Sequence, residues 1–168
     1  MNQQHYTRLL DTKECQECDL MKADLHEIDL HKAELRRANL SGANLKKVNL
    51  SNADLGQAAL READLSDGVL SGANLTLVDL NCANLSNANL SFAIISSATL
   101  SGADLSNARL FNTIWDDGIN IEGANIEGAD FKEVLNLTPE KVKTAKNWEK
   151  AHYDPDLRKQ LGLPKTSD

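Results

Sequence analysis

Aromatic side chains make up only 4% of this 168-residue chain. A core of irregular outline needs more variety of shape than leucine and alanine supply, so an ordinary globular interior is not expected. Positive charge is also short: 18 Lys and Arg face 25 Asp and Glu, a formal charge of −7. Gripping nucleic acid by neutralising phosphates takes a basic stripe, which this balance argues against. No apolar run approaches a membrane span, and Met1 to Leu10 carry Gln, His, Tyr and Arg in place of the apolar segment of a secretory signal. Composition does not shift enough to mark a second domain. The expectation is one soluble, cytoplasmic domain that binds neither membrane nor nucleic acid directly. Asn-Leu-Ser triplets such as Asn39-Leu40-Ser41 and Asn84-Leu85-Ser86 look like glycosylation acceptors, but without a signal segment they read as by-products of a repeat.

That repeat is the dominant feature. Leucine recurs every five residues from Leu20 to Leu90 and is continued by Ile95, Leu100, Leu105 and Leu110. With the leucine called position i, position i−2 is small (Ala23, Ala33, Ala38, Ala43, Ala53, Ala73) and i−1 is usually Asp or Asn. The register slips once: Trp115 stands at i, Gly118 reads as an extra residue, and Ile119-Asn120-Ile121 resumes the pattern through Ala129-Asp130-Phe131. A five-residue period fits neither a helix, at about 3.6, nor a strand, at about 2. It is satisfied if each pentapeptide forms one short extended side and one turn, so that four close a square coil with i and i−2 pointing inward. Coils stacked about 4.8 Å apart by backbone hydrogen bonds then make a rod.

The A(D/N)LXX consensus resembles the pentapeptide-repeat family, which is numerous in cyanobacteria, and the match covers about residues 18–133. The expected fold is an all-β solenoid, a right-handed quadrilateral β-helix over 18–133 with a one-residue bulge near Gly118. A solenoid exposes core and strand edges at both ends, so caps are expected. Residues 1–17 read as an N-terminal helical cap, with Tyr6, Leu9 and Leu10 on one face. Residues 134–168 read as a C-terminal helical cap. There Thr138-Pro139 opens a helix to about Ala151 with Val142, Ala145 and Trp148 on one side, and Asp154-Pro155 opens another with Leu157 and Leu161 inward and Gly162 as the stop. Resemblance to topoisomerase-modulating members implies the alternative that this tail dimerises the protein, and the oligomeric state stays open.

Cys15 and Cys18 stand where the repeat begins. Extending the register backwards places them at i and i−2, both inward and close enough for a disulfide. A zinc site would need two more ligands, and His26 and His31 sit at outward i+1 positions; a redox centre would want a βαβ context that is absent. Cys82 falls at i+2, on the surface. The repeated Asp side chains form columns, not a convergent pair, and a leucine-filled rod offers no concave pocket. No catalytic, cofactor-binding or metal-ligating residue is assigned, no cofactor is implied, and an enzyme is not expected.

Two functions remain. Quinolone-resistance members of the family resemble duplex DNA and bind DNA gyrase, so the resemblance implies a DNA-mimicking modulator of a type II topoisomerase as one of them. That requires rows of negative charge, yet Lys46-Lys47 interrupt the most acidic side and Arg36-Arg37 another. The preferred reading is a protein-interaction or scaffold module, with a protein as partner. Its candidate surface is where the outer columns turn apolar: Phe92 and Phe111 on the third side, Ile94 and Ile114 on the fourth, with Val69 and Leu77 as further breaks. The bland alternatives are that the C-terminal segment covers this cluster, or that it only surrounds the irregularity at Trp115.

Overall fold

A computed structural model describes residues 1–164. Its regular part can be derived by asking where each backbone N–H of one pentapeptide goes, because a buried N–H without a partner is costly. In the repeat Ala63-Asp64-Leu65-Ser66-Asp67 all five are used. Ala63 N–H closes the preceding turn on Leu60 O (3.1 Å), and Asp64 N–H reaches back one coil to Ala43 O (3.0 Å). Leu65 and Asp67 donate forward to Asn84 O (2.7 Å) and Ser86 O (3.0 Å). Only Ser66 N–H lacks a backbone acceptor, and the Asp64 side chain supplies one through Oδ1 at 2.9 Å. This Asx turn is the physical reason for Asp or Asn at i−1. It recurs along the chain, for example at Asn44, Asn84, Asp104 and Asn125.

Each i−1 residue forms a parallel bridge to its counterpart in the next coil, as in the column Asp24, Asn44, Asp64, Asn84, Asp104, Asn125. The spacing is 20 residues from Asp24 to Asn44 and 21 from Asp104 to Asn125. Side chains at i and i−2 fill the interior: the leucines from Leu20 to Leu90 are at most 1% exposed, and the intervening alanines are equally enclosed. Each such leucine contributes roughly 1.5–3 kcal/mol of burial.

The corners explain the rest of the spacing. Position i+2 has φ near +60° at nearly every turn, from Glu17 (59°) through Phe92 (64°) to Glu133 (57°). Together with the 4→1 hydrogen bond this is the signature of a type II turn, whose third residue favours Gly or Asn. Most corners use neither. Replacing Leu77, half-exposed at φ 59°, by glycine is therefore expected to raise stability by about 1 kcal/mol, read from a chemical-denaturation midpoint.

The ladder is longer than the 18–133 span expected from the repeat. It runs from the Glu14–Glu34 bridge to the Asp130–His152 bridge. Before it lies α1 (Gln3–Thr12), capped by the Asn2 side chain, which accepts from Gln4 and His5 N–H. α1 meets the open edge of the first coil. Asn2 N–H donates to Asp19 O (3.0 Å), Asp19 N–H donates to His5 Nδ1 (2.9 Å), and Tyr6 OH donates to Asp24 O (3.1 Å), while Leu9 is fully buried. Leu10 is exposed instead of joining the inward face.

The C-terminal helix expected from Thr138 to Ala151 is corrected. Thr138 does cap α2 with Pro139 at its first position, but α2 spans only Pro139–Val142. The competing interaction is the unpaired edge of the last regular coil: Lys146 N–H reaches Ala124 O (2.8 Å) and His152 N–H reaches Ala129 O (2.8 Å). A short 3-10 turn (Trp148–Lys150) and α3 (Pro155–Gln160) complete the described segment. Ala151-His152-Tyr153 is thus one more small–polar–large repeat, with Ala151 and Tyr153 buried. Gly162, at φ 76°, follows α3, and Leu161 packs inward as its spacing indicated.

Candidate interaction surface

The outer columns are mostly polar ladders. Asn44, Asn84 and Asn125 each donate from Nδ2 to the Asp one coil below, at Asp24 (2.9 Å), Asp64 (3.1 Å) and Asp104 (3.1 Å). Alternation puts a donor between successive carboxylates, so like charges do not stack directly. These carboxylates are occupied in holding the turns and do not form a free acidic row.

On the fourth side the column changes character. Glu34, Asp54 and Asn74 give way to Ile94, Ile114 and Leu135, joined in order by parallel bridges. Ile94 is 39% exposed, Ile114 40% and Leu135 50%. Around the preceding corner Phe92 is 57% exposed and meets Phe111 edge-on with ring centroids 5.7 Å apart. The structure therefore brings together Phe92, Ile94, Phe111 and Ile114 and adds Leu135, which stands outside the repeat span expected from sequence. The described part of the C-terminal segment leaves these side chains in solvent. Val69, also exposed, lies in the third-side column between Asn49 and Asn89.

Beside this patch is the bulge. The turn shifts one residue to Asp117-Gly118, so the extra residue is Asp116, not Gly118. Gly118 has no left-handed φ; a Cβ there would lie 2.7 Å from Ser97 Oγ and 3.3 Å from Ser97 Cα, so glycine serves close approach to the coil below. Ser97 N–H, which by register should find the Asp116 carbonyl, finds its carboxylate instead (2.6 Å), and Ser97 Oγ donates to the other oxygen (2.8 Å). The carbonyl receives Lys141 Nζ (2.6 Å). The Ser97 hydroxyl, with the Ser97 and Gly118 N–H groups, holds the Asp116 carboxyl below its ordinary value. A depressed folded pKa gives stabilisation that is complete above the unfolded value, near 4, and is lost as pH falls through the folded one. Asp116→Asn is expected to cost about 1 kcal/mol at pH 7, with the difference from wild type closing as pH falls through the lowered folded value. Paired denaturant titrations across pH 2–7 check it, a constant gap being the contrary result.

Cys15 and Cys18 are joined by a disulfide with Cα atoms 5.3 Å apart, and both are enclosed beneath α1. His26 and His31 point outward and pair with Asp24 (2.8 Å) and Asp29 (2.9 Å), away from the sulfurs. Hydrogen bonding from His31 holds the Asp29 carboxyl down to about 2, and the pairing with Asp24 raises His26. Cys82 is free and exposed. Among the described residues no three His, Cys, Asp or Glu side chains converge on a metal position, and no helix is long and apolar enough to cross a membrane. A shallow hollow lined by Asp24, His26, Glu27, Asn44, Lys46 and Lys47 opens between two coils; its Lys47 is tied to Glu27 at 3.0 Å.

The family model for pentapeptide repeats matches in eight copies, over residues 18–57, 43–81, 58–94 and 73–112. Among solved structures, a pentapeptide repeat protein from the cyanobacterium Cyanothece 51142 is 30% identical, with TM-score 0.60 over 71% of this chain and 99% of that one. A pentapeptide repeat protein of the Arabidopsis thaliana thylakoid lumen is 28% identical, with TM-score 0.55 over 77% and 78%. The plasmid-mediated fluoroquinolone resistance protein QnrB1, in a trypsin-treated variant, is 20% identical, with TM-score 0.46 over 91% and 88%. No curated protein matches the chain.

Proposed function

Because this chain belongs to the pentapeptide-repeat family, whose members fold as right-handed quadrilateral β-helices and are generally structural or interaction modules, we propose that it is a non-enzymatic interaction module. It acts in the cytoplasm and engages a protein partner through Phe92, Ile94, Phe111, Ile114 and Leu135. The observation that carries this reading is that the patch costs the fold something. Ile94 and Ile114 stand at i−1, the position of Asp or Asn elsewhere, and Ile94 forgoes the Asx bond to the Ser96 N–H, a bond with a net value of about 0.5–1.5 kcal/mol. Phe92 occupies a left-handed corner, at φ 64°, that suits Asn or Gly. Three neighbouring departures from the best structural residue, all apolar and exposed, fit a surface kept for binding.

The variant Phe92→Asn/Ile94→Asn/Ile114→Asn separates the two roles. Its melting temperature is expected to equal or exceed that of the wild type, while a partner captured by the wild type from extracts of the native host is lost. Capture of the same partner by the variant would overturn the reading. Supercoiling by DNA gyrase is expected to be unaffected by the protein, since along the Asp24–Asn125 column the carboxylates alternate with Asn and serve the turns, and the fourth-side column turns from Glu34 and Asp54 to apolar residues. A change in supercoiling would instead favour the DNA-mimic reading. We read α1 and the segment from α2 to α3 as caps over the two ends of the rod.

A further inference from the structure

We propose that the Cys15–Cys18 disulfide is a redox latch on α1, opened by a dithiol reductant to release the helix and expose the N-terminal end of the rod. This rests on the reading of α1 as a cap and is independent of the apolar patch. Elsewhere in the core, positions i and i−2 are held by aliphatic side chains with few exceptions, and the pair of sulfurs occurs only in the terminal coil. That coil, like the last one, has a neighbouring coil on a single side. Cys15 N–H and Glu17 N–H donate forward to Glu34 O (2.8 Å) and Arg36 O (2.9 Å), while among the described residues α1 is what lies behind. The turn Cys15-Gln16-Glu17-Cys18 closes with a 3.3 Å hydrogen bond and, like most corners, passes through a left-handed residue, Glu17 at φ 59°. The covalent link holds a corner that its surroundings hold weakly.

α1 also encloses the sulfurs. Cys15 is 0% and Cys18 2% exposed, and Cys15 Sγ lies 3.2 Å from His5 O on the helix backbone. A reductant thiolate reaches a sulfur only when α1 lifts. It then attacks Cys18, the less enclosed of the two, and Cys15 leaves as a thiolate and takes a proton. The second thiolate of the reductant displaces Cys18 from the mixed disulfide. Two protein thiols result, and the dithiol, having given up two electrons, closes to its own disulfide. Two thiols cannot remain at bonding distance, so they separate within a closed corner against the α1 backbone. Reduction and helix opening therefore favour each other, as linked equilibria must.

Hydrogen exchange of the full chain in a Cys82→Ser background, oxidised and then treated with dithiothreitol, tests the latch. Amides of residues 1–14 are expected to exchange at least about tenfold faster after reduction, with Leu45 to Leu110 unchanged. Thiol titration should find none before treatment and two after it. C15A/C18A is expected to exchange fast in both conditions; if it fails to fold, the comparison on the cysteine-containing chain decides alone. Equal exchange in the two states, or two free thiols after oxidation, would overturn the proposal.

Discussion

Replacing Trp115 by alanine is expected to lower stability by about 3–5 kcal/mol. The indole is 1% exposed and occupies a position that the repeat fills with leucine. Its Nε1–H donates to Thr113 Oγ1 (2.9 Å), whose hydroxyl donates to Leu110 O (2.8 Å). Its ring meets Phe131 edge-on at 5.7 Å, and Phe131 stacks on Tyr153 at 5.8 Å. Burial raises the Tyr153 phenol well above its ordinary pKa, and its OH donates to Trp148 O (2.7 Å). This aromatic column replaces aliphatic packing where the extra residue widens the coil, so alanine leaves a cavity with no neighbour able to fill it. Because a solenoid is held by contacts between adjacent coils, the loss should concentrate C-terminal to the bulge. Denaturant unfolding gives the magnitude, and hydrogen exchange gives the place: residues 121–153 should lose protection before residues 20–80.

The interior was legible in the sequence because size repeats there without chemistry. Large at i and small at i−2 require only a period, and the buried columns follow it from Cys15 to Phe131. The outside was less legible. Asp and Asn at i−1 look like solvated surface until the turn is known, and only the turn reveals that one N–H in five lacks a backbone acceptor. The C-terminal segment misled for a different reason. Thr138-Pro139 is a sound helix start, and the helix does start there. What stops it is an edge more than ten residues upstream that no local propensity records. The signal present was Ala151-His152-Tyr153, a repeat read as the end of a helix. Leu135 in the patch was hidden by the one-residue slip, which moves its bridge with Ile114 to a 21-residue spacing.

Leu9→Asp is expected to raise the local free energy of α1 by about 2–5 kcal/mol, the range for losing a buried leucine, with an unpaired charge in addition. A ten-residue helix has little stability of its own, so it should detach without unfolding the rod. The exposed end would then present Leu20 and Leu25 and the unpaired edge at Asp19 and Asp24. Amides of α1 should exchange at unprotected rates while the coils keep their circular dichroism, and apparent size should rise with concentration as ends associate. An unchanged exchange profile for α1 would show that Leu9 does not anchor it.

The alternation of Asp and Asn along the second side bears on how such a chain can grow or shrink. Deleting one pentapeptide would rotate everything downstream by a quarter turn and dismantle each column. Deleting a whole coil keeps every side chain on its side, yet it would set Asp24 directly beneath Asp64 and bring two carboxylates together without a donor between them. Only the gain or loss of two coils preserves both the packing and the donor–acceptor sequence. The heritable unit of length in this part of the molecule is therefore the paired coil, twice the structural repeat, and internal duplications should favour it.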